Sequence, residues 1–332
     1  MSPRRDAKCG QGPCVEVTAP SRLHFGLFSF GHCQRRQFGG VGVMVDRPAV
    51  AMQIQAAETL ETVGPLAERV REFAHRWAAF HGIAGELPCR IVVRSVAESH
   101  VGLGVGTQVG LSVGAGLNMF FQQPQPSPVE LALSVGRGYR SAVGTYGFAT
   151  GGLIVERGKL PNEPIAPLEV RLEPPARWRF VLLQPRTSRG LSGQVEQDAF
   201  GRLPPVSVEV TAELVAEVRE RMLPAAAAGD FEVFSESVYR FGRLAGLCFA
   251  NVQGGPYNGL RLSALVDLVR SQGVRGVGQS SWGPTLFAIL PDESRARDFV
   301  AQMTANPACA DLQFAVTAPN NCGAKLHRRY AK

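Results

Sequence analysis

The sequence predicts a two-domain α+β protein, and three observations carry that expectation. A chain of 332 residues, 45% hydrophobic and 19% charged, is longer than most single domains and apolar enough to bury a sizeable core. Strand-like and helix-like periods follow one another in mixed order, with no repeat of about 20 to 50 residues to indicate a solenoid. Pro161 to Pro175 holds five prolines, which predicts a linker or long loop and puts a boundary near Pro175. The boundary separates an N-terminal domain, residues 14–175, from a C-terminal domain, residues 176–327.

After a polar start, Val15 to Thr18 alternates as a strand does and runs into Ala19-Pro20-Ser21-Arg22-Leu23-His24-Phe25-Gly26, where proline and glycine bracket a predicted turn. Phe38 to Val45 and Ala49 to Ile54 read as strands, with Asp46-Arg47-Pro48 as the hairpin turn between them. From Pro65 to His81 the apolar residues Leu66, Val70, Phe73, Trp77 and Phe80 recur at helical spacing, and Gly82 is the stop. Arg90 to Val96 is a strand that leads straight into a glycine run. Thr107 to Phe121 is helical, although Gly110, Gly114 and Gly116 each cost about 1 kcal/mol against alanine, which implies close packing. Val129 to Val135 is a further helix and Leu153 to Glu156 a strand. Beyond Pro175, Arg179 to Leu183, Thr285 to Leu290 and Leu312 to Val316 read as strands. Val208 to Met222, Asp230 to Leu247 and Gly259 to Ser271 read as helices.

Composition narrows the function classes. No apolar stretch reaches the roughly 20 residues of a membrane span, and MSPRRDAKCGQGP has no apolar export core, so a cytoplasmic protein without a membrane partner is expected. The seven cysteines, Cys9, Cys14, Cys33, Cys89, Cys248, Cys309 and Cys322, are dispersed without a CxxC pair and read as reduced packing residues. Thirty-five Lys and Arg against 28 Asp and Glu leave a net charge of +7, which favours an anionic partner. Arginine's planar fork suits a phosphorylated or carboxylated metabolite as well as nucleic acid. An RNA-binding protein would cluster its cations among exposed aromatics. Here they are dispersed apart from Arg4-Arg5, Arg35-Arg36 and Arg328-Arg329, so no nucleic-acid partner is expected.

Four glycine-bearing segments can carry chemistry. HVGLGVGTQ, His100 to Gln108, joins a strand to a helix. Its glycines allow positive φ, and the unpaired amides of the first helical turn suit a phosphate. It lacks the GK[ST] ending of a Walker loop and the βαβ context of a dinucleotide site. A tight turn against a packed helix is the alternative reading of the same residues. GVGQSSWGPTLFAIL, Gly276 to Leu290, is a second glycine turn, carrying Gln279, Ser280 and Ser281 before an apolar strand. APSRLHFGL, Ala19 to Leu27, brings Arg22 and His24. GRGYRSAVGTYGFATGG, Gly136 to Gly152, places Arg137 and Arg140 among glycines with no carboxylate, where they are either solvated or clamp an anion bidentately.

Together these segments resemble the GHMP kinase superfamily, in the right order over most of the chain. Within it SRLHFGL, RRQFGGVGVMVD (Arg35 to Asp46), HVGLGVGTQ, GRGYRSAVG, RGLSGQVE (Arg189 to Glu196) and GQSSWGPT resemble the β-ribofuranosylaminobenzene 5'-phosphate synthase family. The resemblance implies a GHMP-kinase-like two-domain α/β sandwich, a ribosomal S5 domain 2-like N-terminal domain plus a ferredoxin-like C-terminal one. It also implies a phosphoribosyltransferase that joins phosphoribosyl diphosphate to 4-hydroxybenzoate or 4-aminobenzoate, releasing diphosphate and carbon dioxide, in tetrahydromethanopterin biosynthesis and one-carbon metabolism. The alternative on the same fold is an ATP-dependent small-molecule kinase. Against it stand Glu98 where the kinases have proline, and Val105, Gly106 and Thr107 where they have paired serines. Within the synthase branch, Val105 stands where a serine is expected.

On this resemblance the amides of Gly102, Gly104 and Gly106 with Thr107 would hold diphosphate, helped by Mg²⁺ and arginine charge. His24 or His100 would be the base near the para hydroxyl, and Arg22 would orient the benzoate carboxylate. Arg137 and Arg140 would bind the ribose 5-phosphate, while Gln108, Gln279 and Ser280 would fix the aromatic substrate or the phosphates. No metal ligand is identified, and the sequence leaves a homodimer open.

Overall fold

The structure, a computed structural model, describes residues 12–32, 34–186 and 200–330. RGLSGQVE, Cys9 and Cys33 lie outside the described residues. Two sheets organise the chain. The first is built on two long strands, β1 (Pro13–Ser29) and β2 (Phe38–Ala56). Its order is β11-β1-β2-β4-β3, with β3 at Glu61–Val63, β4 at Cys89–Ser95 and β11 at Lys325–Tyr330. β5 (Leu153–Glu156) pairs with the first half of β2 and carries β6 (Leu168–Leu172) on its outer side.

Three expectations change here for identifiable reasons. Ala19 to Gly26 is not a reversal, because β1 runs through it. The register steps from Ala19 opposite Val50 to Ser21 opposite Val45, so the amide-less Pro20 falls in a break of the ladder, where a strand tolerates proline. Asp46 to Ala49 of β2 fills the same break, and the predicted hairpin is this irregularity within one strand. The proline-rich stretch does hold regular structure, since no proline interrupts Leu168–Leu172.

Helices α1 (Ala67–Phe80), α2 (Val105–Phe120), α3 (Pro128–Ser134) and α4 (Val143–Thr150) pack with this sheet around one core. The glycines of α2 serve close packing, as expected. A methyl group at Gly116 would stand 2.7 Å from Ile54 Cδ1, and one at Gly110 3.1 Å from the Phe73 ring. α4 falls in a segment that reads as glycine turns.

The second sheet has the order β10-β7-β9-β8, all antiparallel, with β7 at Arg179–Pro185, β8 at Gly276–Gln279, β9 at Leu286–Leu290 and β10 at Leu312–Thr317. The helices Phe231–Leu247 and Leu260–Ser271 lie between β7 and β8 in the chain, and Glu293–Ala305 lies between β9 and β10. The first strand thus pairs with the fourth and the third, the ferredoxin-like order that the resemblance implies. Alternation along β7 sends Val181 and Leu183 into the core of this half. Phe180 and Leu182 join the larger core shared with the first sheet. There Phe25 of β1 meets Phe287 of β9, ring centroids 5.1 Å apart. Among the described residues no helix is long and apolar enough to cross a membrane.

Candidate functional site

Hydrogen bonds tie the four segments together, the Gly136 to Gly152 segment through Ser141 and Gly144. The Arg22 amide donates to the Leu103 carbonyl at 3.1 Å, which docks the GLG loop on β1. The buried Ser280 hydroxyl donates to the Gly102 carbonyl at 2.7 Å and accepts from the His24 amide at 3.0 Å. The Ser281 amide then donates to the His24 carbonyl at 3.0 Å. Approach is so close that a Cβ at Gly102 would lie 2.3 Å from the Ser280 carbonyl oxygen. Replacing Ser280 by alanine strands the buried His24 amide and the half-buried Gly102 carbonyl, so Ser280→Ala is expected to cost about 1–3 kcal/mol of stability. Chemical denaturation measures it.

Arg22, His24, Thr107, Arg137, Arg140 and Gln279 line one cavity of about 270 Å³, whose wall also includes Tyr139, Ser141, Phe200, Phe249 and Trp282. The other expected residues are not on that wall. Gln108 is buried and donates from Nε2 to the Gly144 carbonyl at 3.0 Å, joining α2 to α4. Ser280 is the staple just described. His100 is exposed in the turn before the loop and does not reach the cavity with His24. Gly102 and Gly104 shape the loop at φ 88° and 71°. Gly104 caps α2, and a Cβ there would crowd Arg22 at 3.3 Å. Val105 is buried in the core, so the first hydroxyl on this turn is that of Thr107.

Two walls differ in chemistry. On one, Arg137 and Thr107 line the cavity at the N-terminus of α2, with Arg69 and Arg76 close to Arg137 but outside the lining. A methyl group at Gly106 would stand 2.8 Å from Arg69 Nη2 and 3.1 Å from Arg137 Nη2. The guanidinium carbons of Arg137, Arg69 and Arg76 lie 5.0, 5.9 and 6.0 Å from the centroid of Phe73. Burial first, then the charges of Arg69 and Arg76, push the Arg137 pKa down to about 10. Arg69 is lowered by burial above all. Glu72 is the carboxylate whose charge offsets both. Arg137 Nε is buried without a hydrogen-bond partner. The first turn of α2 carries no acidic residue, so crowded cations share the positive end of a helix, a place where an anion is stabilised. The other part of the wall is aromatic. Phe200, Phe249 and Trp282 meet edge to face at centroid distances of 4.9 to 5.6 Å, and Arg140 lies over Phe200 at 5.1 Å.

A polar chain runs from His24 to Ser141, both on the cavity wall, and on to a buried carboxyl. His24 Nε2 is 3.1 Å from Ser141 Oγ. Burial, then the charge of Arg22, holds the imidazole pKa well below its ordinary value, so His24 is neutral. Behind Ser141 lies Glu156, fully buried at the end of β5. Its Oε2 accepts the Ala142 amide at 2.6 Å. Burial raises this carboxyl to about 7, against the hydrogen bonds of Ser141 and Ala142 and the charge of Arg22. A raised carboxyl stabilises the fold below its ordinary pKa and loses that contribution as pH rises from 4.5 to about 7. His24 acts with the opposite sign, its contribution being lost as pH falls below 6.5. Unfolding of wild type and Glu156→Gln side by side separates the two. Between pH 5 and 8 the difference is expected to move in favour of the variant by up to about 3 kcal/mol.

Arg69, Arg76 and Glu156 lie outside the sequence motifs, and Ser141 lies within GRGYRSAVG without being singled out there. The spacing of Arg69 and Arg76 around Phe73 on α1, and a lone acid in the apolar run Leu153–Glu156, are the signals that point to them. Among the described residues no group of three His, Cys, Asp or Glu side chains could hold a metal.

The fold and the glycine loop at a helix N-terminus define a protein of the GHMP kinase fold. The family GHMP kinases C terminal matches residues 222–309. Lactococcus lactis galactokinase, solved with galactose, shares the fold with a TM-score of 0.68 at 13% identity, over 94% of this chain and 95% of that one. Two relatives are closer in sequence. The β-ribofuranosylphenol 5'-phosphate synthase of Archaeoglobus fulgidus is 30% identical over 87% of this chain and 93% of its own. The protein of that name from Methanothermobacter thermautotrophicus is 29% identical over 83% and 89%. The chain belongs to the β-ribofuranosylphenol 5'-phosphate synthase family, and so to the pentosyltransferases rather than to the kinases whose fold it shares.

Proposed function

We propose that this enzyme joins the ribose 5-phosphate unit of phosphoribosyl diphosphate to 4-hydroxybenzoate at the ring carbon that bears the carboxylate, releasing diphosphate and carbon dioxide. The observation that carries the reading is one cavity lined by Arg22, Arg137 and Arg140, by Phe200, Phe249 and Trp282, and by the neutral buried His24, at the N-terminus of α2. The relatives' name, a riboside of phenol, favours 4-hydroxybenzoate over 4-aminobenzoate.

In this mechanism the amides at the start of α2 and Arg137, with the charge of Arg69 and Arg76 close by, hold the diphosphate and stabilise its charge as the C1'–O bond breaks. Thr107 adds a hydroxyl. The benzoate ring packs on the aromatic wall. Arg140 and Arg22 meet the two remaining anions, the ribose 5-phosphate and the benzoate carboxylate. His24 takes the phenolic proton, electron density moves to the para carbon, and that carbon attacks C1'. Loss of carbon dioxide returns the C–C bonding pair to the ring and restores aromaticity. The described residues offer Mg²⁺ no carboxylate cage, so we assign it to the substrate, as the counter-ion of the diphosphate. We place the enzyme in the cytoplasm, on the route to tetrahydromethanopterin.

The test is to follow diphosphate release from phosphoribosyl diphosphate with each benzoate in turn. Release is expected with 4-hydroxybenzoate and not without an acceptor. ADP formation from ATP and an alcohol, with no diphosphate released by either acid, would overturn the reading in favour of a kinase.

A further inference from the structure

Glu156 is not accounted for by packing. It closes the run Leu153-Ile154-Val155, all four side chains buried, where another aliphatic residue would fill the space without burying a charge. One of its oxygens, Oε1, has no hydrogen-bond partner, while Oε2 accepts the Ala142 amide. Ser141 adjoins both groups: its hydroxyl lies 3.1 Å from His24 Nε2 and accepts the Val143 amide at 3.3 Å, it precedes the Ala142 whose amide the carboxyl accepts, and it holds the carboxyl's pKa down. The charged and titratable groups that act on it are Arg22 from β1 and Tyr146 from α4, with His24 of β1 beyond Ser141. β2 and β6 face it with the uncharged Gly40 and Leu168.

We propose that Glu156 is the positioning residue of the His24 base: through the Ser141 hydroxyl it holds the imidazole with Nε2 protonated, leaving the Nδ1 lone pair to take the acceptor's proton. The direction of the chain follows from its end. A carboxylate only accepts, so Ser141 donates to Glu156 and therefore accepts from Nε2–H. The backbone of His24 is fixed at both its amide and its carbonyl by Ser280 and Ser281, so orientation of the ring is left to this side-chain chain. In the reaction the phenolic O–H breaks and its proton goes to Nδ1. The Nε2 proton passes to Ser141 Oγ as the Ser141 proton passes to Glu156. When carbon dioxide has left, the same transfers reverse and the proton returns to the phenolate oxygen, so no proton is consumed. Because Glu156 must be ionised to accept, the rate is expected to rise with pH through neutrality.

The origin of the proton rests on the synthase reading, whereas the ring's tautomer does not, and the experiment reads both. In ¹⁵N-labelled protein, the imidazole shifts of His24, assigned by comparison with His24→Gln, are expected to show the Nε2–H tautomer in the wild type. In Glu156→Gln the Nδ1–H form is expected to appear. With the same variant, kcat is expected to fall about 100-fold and its rise with pH to disappear, with KM for phosphoribosyl diphosphate within about twofold. Ser141→Ala cuts the chain while leaving the Ala142–Glu156 bond in place, and carries the same expectation should Glu156→Gln fail to fold. A wild-type Nδ1–H tautomer, or an unchanged tautomer and pH profile in the folded variant, overturns the proposal. Absence of carbon dioxide release by the wild type overturns the reaction instead, and the tautomer still decides the role of Glu156.

Discussion

Replacing Arg137 by glutamine is expected to lower kcat/KM for phosphoribosyl diphosphate by about 10²- to 10³-fold, the loss typical of one preorganised group aimed at developing negative charge. Arg137 Nη2 flanks the first turn of α2 at Gly106, and its Nε is already buried without a partner. Its guanidinium has been taken out of water beside Arg69 and Arg76, which pushes its pKa down to about 10. It stays charged at neutral pH, and an incoming diphosphate relieves the repulsion. The variant should also unfold no more readily than wild type, since removing one of three crowded cations lessens repulsion in the empty site. Steady-state kinetics with phosphoribosyl diphosphate varied, alongside thermal unfolding, check both parts. A variant with unchanged kinetics would move the diphosphate away from α2.

Replacing His24 by glutamine is expected to lower kcat by about 10²- to 10⁴-fold, the range of a positioned general base, with a smaller change in KM. Burial and Arg22 keep the imidazole neutral, so it is ready to accept a proton in the range where an exposed histidine is part-charged. The stereochemical setting is fixed by the Ser280 and Ser281 hydrogen bonds to its backbone, which glutamine preserves. His100 provides the control. It is exposed and outside the cavity, so His100→Gln should leave kcat within about twofold. Rates measured at saturating concentrations of both substrates distinguish the two histidines.

Much of this site can be read in the sequence because glycine turns carry their own signature. The loop from Gly102, the turn at Ser280 and the Arg137 segment each combine glycines with polar residues that an ordinary turn does not require. What they do to one another is not in the spacing. Ser280 and Gln108 carry suitable functional groups, and only tertiary packing turns one into a staple and the other into a link between helices. Arg69 and Arg76 escape notice because the helical period of α1 is traced through its apolar residues. The two arginines lie on either side of Phe73, Arg69 beside Gly106 in α2's first turn and Arg76 beside Gly136. The two long strands are missed as continuous elements because Pro20 and Pro48 read as ends. Each strand instead absorbs its proline in a shared break of register. Val105, which differs from the serine expected in this branch, is explained by its place in the core.

The central claim, that one cavity couples loss of diphosphate from a ribosyl donor to loss of the carboxyl group from an aromatic acceptor, is tested most directly with carboxyl-labelled 4-hydroxybenzoate. With phosphoribosyl diphosphate and Mg²⁺ present, labelled carbon dioxide should be released in step with diphosphate, one for one. Release of carbon dioxide without phosphoribosyl diphosphate, or of diphosphate with the label retained in the product, would contradict it.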